Sequence, residues 1–226
     1  MDVVYIVRPG DRNEELRYSL RSLANLAHDR VFVAGYRPLW VDAEHIAAPQ
    51  RQGDKQGNAQ RNLRAACSDD RVSDPFVVFN DDMFVMRRMR KVQTLHRGLL
   101  VDVIAEHTHR SQYARSMIAT GQLLDGLGYT DPLCYEMHAP MVIDKAGMLW
   151  ALGFGRGVYG VHNRTLYGNM NGIGGRKSAD CKVYSERDTE YPSWPFISTN
   201  DSTFRRTSAG AYIRESFPNP SPYEKR

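Results

Sequence analysis

A run of β-favouring apolar residues, Val3–Val7, stops abruptly at Arg8-Pro9-Gly10-Asp11, and this strand-then-break sets the first move of the fold. A helix is expected from about Asn13. Leu16, Leu20, Leu23 and Ala27 recur there at spacings of four and three, so they share one apolar face. Residues 31–34 form a second short apolar run, closed by Gly35. Strand, helix and strand within the first 35 residues make one βαβ unit with a right-handed crossover. A chain that begins this way is committed to the α/β class.

The rest of the chain extends that pattern. Residues 49–58 are a polar loop, 59–67 read as a helix, and 76–79 read as a third buried strand. The stretch 92–126 is expected to be a helical insertion, and 141–152 a further helix. Residues 153–194 are rich in Gly, Asn, Tyr and Arg with weak periodicity, and are expected to be long loops or an active-site cover. A last short strand is expected at 195–199, and the proline-rich end, about 216–226, reads as an extended tail. The expected architecture is a single domain over 1–226, with a mixed, mostly parallel sheet flanked by helices. Open sheets of this kind bind ligands beyond the carboxyl ends of their strands.

Composition narrows the function classes. The balance of 42% hydrophobic and 25% charged residues is that of an ordinary globular protein. No apolar run approaches the length of a membrane span, and no basic-then-apolar leader is visible. Cys67, Cys134 and Cys181 are scattered, with neither metal-ligand spacing nor a disulfide framework, so a reducing, cytoplasmic setting is expected. A net charge of +4 and a pI near 9.0 permit acidic ligands. Arg87, Arg88, Arg90, Lys91 and Arg97 fall in a stretch of eleven residues without an acid. That run reads equally as a solvated face or as a phosphate-facing patch.

Several constellations can carry chemistry. The sharpest is Phe79-Asn80-Asp81-Asp82-Met83-Phe84, where a buried strand ends in an amide and two adjacent carboxylates. Adjacent carboxylates repel, which a cation relieves, and oxygen ligands alone suit Mg²⁺ or Mn²⁺. The same residues also favour turns and helix caps. Phe196-Ile197-Ser198-Thr199-Asn200-Asp201 repeats the logic, so two strand ends could converge on one ion; a helix cap is again the plain alternative. Asn13, Arg17 and Arg21 share a helix face that could grip a phosphate or pair with Glu14 and Glu15. His138, before Ala139-Pro140, is a candidate acid/base or metal ligand, or a loop histidine bonded to backbone. Arg164 sits in a stretch rich in hydrogen-bonding groups that suits a sugar site or a surface loop.

These segments resemble a known family. Glu15-Leu16-Arg17-Tyr18-Ser19-Leu20-Arg21-Ser22-Leu23 is similar to the first-helix motif of the Stealth family, the capsular polysaccharide phosphotransferases and related N-acetylglucosamine-1-phosphotransferases. Phe79-Asn80-Asp81-Asp82-Met83-Phe84 resembles its second motif, and His138-Ala139-Pro140 its third. Asn200-Asp201 and Phe217-Pro218-Asn219-Pro220-Ser221-Pro222-Tyr223-Glu224 resemble its closing region. The resemblance implies a fold like that of the GT-A glycosyltransferases, a nucleotide-sugar donor and a divalent ion. It implies places near the donor for Arg17, Arg21, Asp81, Asp82, His138, Arg164 and Asn200. The chain departs from the family at its first strand, which ends Ile6-Val7-Arg8-Pro9-Gly10 instead of in Trp-Val-Asp or Trp-Val-Asn. Its compactness is like that expected of a phage glycosyltransferase.

The expected activity is therefore transfer of a sugar from a nucleotide-sugar to an acceptor hydroxyl. Asp81, Asp82 and Asp201 are expected to hold Mg²⁺ or Mn²⁺, and Arg8, Arg17, Arg21, Lys55, Asn80 and Asn200 to bind the donor. His138, Asp82 and Arg164 are the expected catalytic groups. The basic run is expected at the donor pocket's rim, favouring an anionic acceptor such as modified DNA, a polysaccharide or an acidic protein surface. Sugar-1-phosphate transfer is one alternative, and a nucleic-acid or glycan-binding module without catalysis is another.

Overall fold

The computed structural model describes residues 1–10, 12–107, 111–158, 160–188 and 191–225. β1 (Val3–Val7) leads to α1 (Glu14–Ser22), which starts where the Asn13 side-chain oxygen accepts the Leu16 N–H at 3.1 Å. β2 (Val31–Gly35) pairs in parallel with β1, and β3 (Glu44–Ile46) in parallel with β2. α2 (Lys55–Ser68) is capped by Asp54, so it begins four residues before the expected 59. β4 (Phe76–Asn80) then returns to the other side of β1, again parallel. β1, β2 and β4 read as apolar runs because both faces of each are covered. Val4, Phe32 and Val78 pack on one face of the sheet, and Val3, Tyr5, Val33 and Phe79 on the other.

Beyond β4 the chain leaves the sheet through β5 (Met83–Val85) and β6 (Leu95–His96). The helical insertion comprises α3 (Leu100–Ala105) and α4 (Gln112–Gly126), so it begins at Leu100, not at 92. The preceding residues are held by pairing of β6 to a later strand. The expected helix at 141–152 is two elements. β7 (Met141–Ile143) closes the sheet antiparallel to β4, and α5 (Lys145–Phe154) follows. The break falls at Asp144, whose carboxylate caps α5 by accepting the Gly147 N–H at 2.7 Å. Nor are residues 153–194 loops throughout. They contain α6 (Asn163–Met170), which packs on α5, and β8 (Arg176–Lys177), the partner of β6. β9 (Phe196–Ser198) pairs antiparallel with β5, and α7 (Asp201–Arg206) and α8 (Ser208–Ser216) follow.

The central sheet thus has the order β3-β2-β1-β4-β7, four strands parallel and the last antiparallel. This is the mixed, mostly parallel α/β sheet expected from the sequence. The tail after α8 is extended and lies along residues 40–42, with Asp42 N–H donating to Tyr223 O and Lys225 N–H to Trp40 O. Among the described residues, no helix is long and apolar enough to cross a membrane.

Candidate active site

From β1 the chain first builds outward on one side, through β2 and β3, and then returns to the other side as β4. The carboxyl ends of β1 and β4 therefore border the point where the winding direction reverses. Crevices form at such points because the two following connections diverge. Here the cleft encloses about 580 Å³. It lies between Arg8 and Pro9 after β1, Asn80, Asp81 and Asp82 after β4, and the loop and first turns leading into α2. Asn62 of α2 reaches across to the Val7 carbonyl. Gly35 permits that approach: its φ is +99°, and a side chain there would collide with Asn62 and with Val7 O.

Arg8 is the hub of the acidic end. Its guanidinium lies 3.1 Å from Glu15, 3.5 Å from Asp81 and 2.9 Å from Asp201. Asn13 donates to Asp81 Oδ2 at 2.8 Å, and Thr199 donates to Glu15 Oε1 at 2.7 Å. The two strand ends singled out in the sequence do meet: Thr199 N–H donates to Asp82 O at 3.2 Å, and Arg8 lies between the carboxylates of Asp81 and Asp201. Burial, and then repulsion from Asp82, pushes the Asp81 pKa upward. Burial also raises that of Glu15, with Asp82 and Asp81 adding to it against the Thr199 hydrogen bond. Both shifts mark carboxyl groups that burial, with neighbouring negative charge added to it, makes costly to ionise.

Asp82 has a cation of its own. Lys182 Nζ sits 2.7 Å from Asp82 Oδ2 and also contacts Ser198 Oγ and Thr199 O. The lysine is 9% exposed and the aspartate 17%, so the pair is largely enclosed. Asp82 Oδ1 is buried without a hydrogen-bond partner. Two residues before Lys182, Asp180 accepts the His138 Nδ1 proton at 2.7 Å and the His138 backbone N–H at 2.9 Å. Burial opposes ionisation of Asp180, but the hydrogen bonds and charge of His138, together with the charge of Arg97, outweigh it and hold the carboxyl below its usual range. With Nδ1 committed to Asp180, His138 presents Nε2 as its free lone pair.

Arg164 lies on α6 and is buried. Its guanidinium donates to Met137 O at 3.0 Å and Ala139 O at 2.6 Å, which fixes the segment carrying His138. Lys55, the first residue of α2, and Asn80 line the cleft. Asn200 is exposed, and its side chain caps α7 by accepting the Thr203 N–H at 2.9 Å. Asp201 borders an adjoining cavity of about 390 Å³ that shares Arg8 with the main cleft.

Arg17 and Arg21 are not in the cleft. Arg21 grips Glu224 through both carboxylate oxygens, at 2.8 and 3.0 Å, and Arg17 reaches the same group at 3.3 Å. Periodicity put them on one face correctly, but that face meets the C-terminal tail. Arg21→Ala is expected to cost about 2 kcal/mol, the scale of a charged hydrogen-bonded contact, and to lower Tm by roughly 4–8 °C. Nucleotide affinity should stay unchanged. Weaker nucleotide binding at an unchanged Tm, read by calorimetry and thermal melting, would return Arg21 to the donor site.

The basic run is also placed differently from the expectation. Met89 bonds with Asn25 and Ala27, in the connection leading into the start of β2, so the run lies toward the amino ends of the strands. Arg87, Arg88, Arg90 and Lys91 face solvent there, while Arg97 pairs with Glu106 at 2.8 Å. The four exposed cations of this run therefore do not supply positive charge at the donor rim, whereas Arg97 lies beside Asp180 and Tyr113.

Sequence reasoning missed Glu15, Asp180 and Lys182. The last two carry a faint signal: Asp180 and Lys182 alternate with apolar Cys181 and Val183, the pattern of an extended segment with one polar face. No family model matches this chain, and a search of curated proteins finds no significant match.

Proposed function

We propose that this protein transfers a sugar unit from a nucleotide-sugar to an acceptor hydroxyl, with Mg²⁺ or Mn²⁺ bound at the strand-end carboxylates. The observation that carries the reading is the cleft itself. It lies at the switch point of a mostly parallel sheet and is edged by Asp81 and Asp82, with Asp82 Oδ1 buried and unpartnered. A nucleoside diphosphate is a ligand of suitable size for a cleft of 580 Å³.

The residues fit a hard divalent ion. Asp81, Asp82 and Asp201 stand with the largely buried Glu15 around Arg8 and Lys182; burial first, and then the neighbouring carboxylates, raise the pKa values of Glu15 and Asp81, and a divalent ion would relieve that repulsion. Among the described residues no three ligating side chains are already gathered on one point. Mg²⁺ sites of this kind are completed by substrate phosphates and water around one or two carboxylates. Asp82, through its free oxygen, and Asp81 would hold the ion, with Asp201 beside them. Bound there, the ion supplies charge neutralisation for the leaving diphosphate.

The chain's own groups account for the rest. Lys55 and Arg8 stand beside the cleft as counter-charges for phosphate oxygens. Lys182 and Arg8 restrain the carboxylates, so that they need not reorganise on binding. His138, oriented by Asp180, accepts the acceptor hydroxyl's proton at Nε2. Arg164 holds the backbone on either side of that histidine.

The test is thermal stabilisation by UDP, GDP and their sugar esters with and without Mn²⁺, followed by release of nucleoside diphosphate. Metal-dependent stabilisation and turnover are expected, and EDTA should abolish both. No nucleotide response at any metal concentration, with strongly salt-dependent binding of nucleic acid instead, would overturn the reading. Phosphorus label on the sugar side of a UDP-sugar separates the two transfer chemistries. It stays in UDP for sugar transfer and enters the product for sugar-1-phosphate transfer.

A further inference from the structure

Behind the main cleft lies a smaller pocket of about 250 Å³. The two share Ile6, Ala59 and Asn80, so they adjoin with these three side chains between them. Six buried side-chain polar atoms lack a hydrogen-bond partner among the described residues. Two of them, Gln50 Oε1 and Asp82 Oδ1, belong to residues lining the outer cleft. Three more, Gln56 Oε1, Tyr113 Oη and His162 Nε2, belong to residues lining the inner pocket. The sixth, His107 Nε2, is on a ring stacked edge-on against Tyr113 at 5.2 Å.

That concentration requires a cause. An unpaired buried polar group costs about 1–3 kcal/mol, and folded proteins pair nearly all of them. His162 is 8% exposed and caps nothing, although it precedes the first turn of α6. Its other ring nitrogen faces Glu136 at 3.6 Å. Tyr113 meets the His162 ring edge-on at 5.0 Å. Glu136 accepts the Thr165 N–H at 3.3 Å. Burial opposes its ionisation, but His162 and Arg164 outweigh that, so the carboxyl is held below its usual range. Between these polar groups the walls are aliphatic, formed by Leu63, Val78 and Val161.

We propose that this inner pocket receives the uncharged hydroxylated ring of the donor sugar, with Glu136, His162, Tyr113 and Gln56 reading its hydroxyls. The inference rests on the reading of the outer cleft as a nucleotide site and adds the sugar class to it. A pyranose ring has the required two-sided chemistry: polar groups around its rim and C–H groups on its faces. The pocket lies below the roughly 300–1,000 Å³ of drug-sized ligand sites, which suits one ring and excludes a disaccharide. A carboxylate-bearing sugar is disfavoured, because Glu136 already places a negative charge in the pocket. Arg164 does not reverse this, since its charge is already answered by Glu136, with which it shares the pocket wall. A hexose or N-acetylhexosamine is the expected occupant.

The experiment is titration calorimetry in Mn²⁺ with UDP, GDP, UDP-glucose, UDP-galactose, UDP-N-acetylglucosamine, UDP-glucuronate and GDP-mannose. The wild type is compared with Glu136→Gln and Tyr113→Phe. At least one uncharged sugar ester should bind about tenfold or more tighter than its bare nucleotide, and UDP-glucuronate should show no such gain. Both variants should bring that ratio close to one while bare-nucleotide affinity is unchanged. Tyr113→Phe removes a hydroxyl with no partner, so it should fold at least as well as the wild type. Bare nucleotides that bind without any gain from a sugar, or a gain that survives both variants, would overturn the pocket assignment and leave the nucleotide reading standing. If no nucleotide binds, that reading fails on its own, and saturation-transfer NMR with free glucose, galactose, mannose and N-acetylglucosamine then judges the pocket. Signal lost in Glu136→Gln supports it, and no signal in the wild type overturns it.

Discussion

Asp82→Asn is expected to lower nucleoside diphosphate release by about two to three orders of magnitude, the scale on which a lost charge-stabilising contact is felt in the transition state. The amide keeps the shape of the side chain but loses the charge that would hold the ion through the free Oδ1. It also leaves the Lys182 ammonium buried without its carboxylate, facing only Ser198 Oγ and Thr199 O. Removing one partner from a fully buried pair costs about 3–5 kcal/mol, and this partly enclosed pair less, so the single variant should melt earlier as well as turn over slowly. Two readouts separate these effects. The double variant Asp82→Asn/Lys182→Met removes the stranded charge and should recover most of the lost Tm, while turnover stays low. Recovery of both together would mean that Asp82 serves only to hold Lys182. Near-normal turnover in the single variant would remove Asp82 from the reaction.

His138→Ala should lower transfer to an acceptor by about two to four orders of magnitude, the usual contribution of a positioned base. Donor affinity should be unchanged, because the imidazole acts on the acceptor side. Asp180→Asn tests the histidine's orientation. The carboxylate accepts both the Nδ1 proton and the His138 backbone N–H, whereas an asparagine can turn its amide toward the ring and favour the wrong tautomer. Its kcat should fall with little change in donor KM. Added imidazole should partly restore His138→Ala and leave Asp180→Asn as it was. A rise in donor KM with kcat unchanged in both variants would place the pair at the donor, and the base role would be lost.

The parts of this fold that are legible in the sequence are those whose burial is complete. β1, β2 and β4 lie in the sheet interior and read as unbroken apolar runs. β3, written Glu44-His45-Ile46, is an edge strand with two half-buried polar residues and carries no such mark. β7 and α5 merged into one expected helix because their apolar residues are contiguous, and only the Asp144 cap separates them. α6 was hidden for a different reason. Its buried face is made of Arg164, Thr165, Tyr167 and Gly168 as well as Leu166 and Met170, so aliphatic periodicity is weak. In the candidate site, Asp81 and Asp82 stand out because a buried strand ends on them. Lys182 does not, because its partner is 100 residues away and no local pattern encodes that distance. Arg17 and Arg21 show the converse limit: helical spacing tells which side chains share a face, but not which distant segment will cover it.

The contacts that tie the two ends of the chain together span almost its whole length. Thr199 bonds Glu15 across 184 positions, Arg8 meets Asp201 across 193, and Arg21 holds Glu224 across 203. Each such contact closes a long loop whose entropy must be overcome before the contact can contribute, and topologies of this type fold slowly. During synthesis the amino-terminal half of the sheet leaves the ribosome first. For that interval Asp81 and Asp82 form an acidic strand end without Lys182, and Glu15 has no Thr199 to shield it. The nascent chain can hold its βαβ core well before it can bind anything there. On the proposed reading, the carboxylate cluster is therefore complete only after β9 and α7 have been made, and a chain stalled before β9 lacks Thr199 and Asp201.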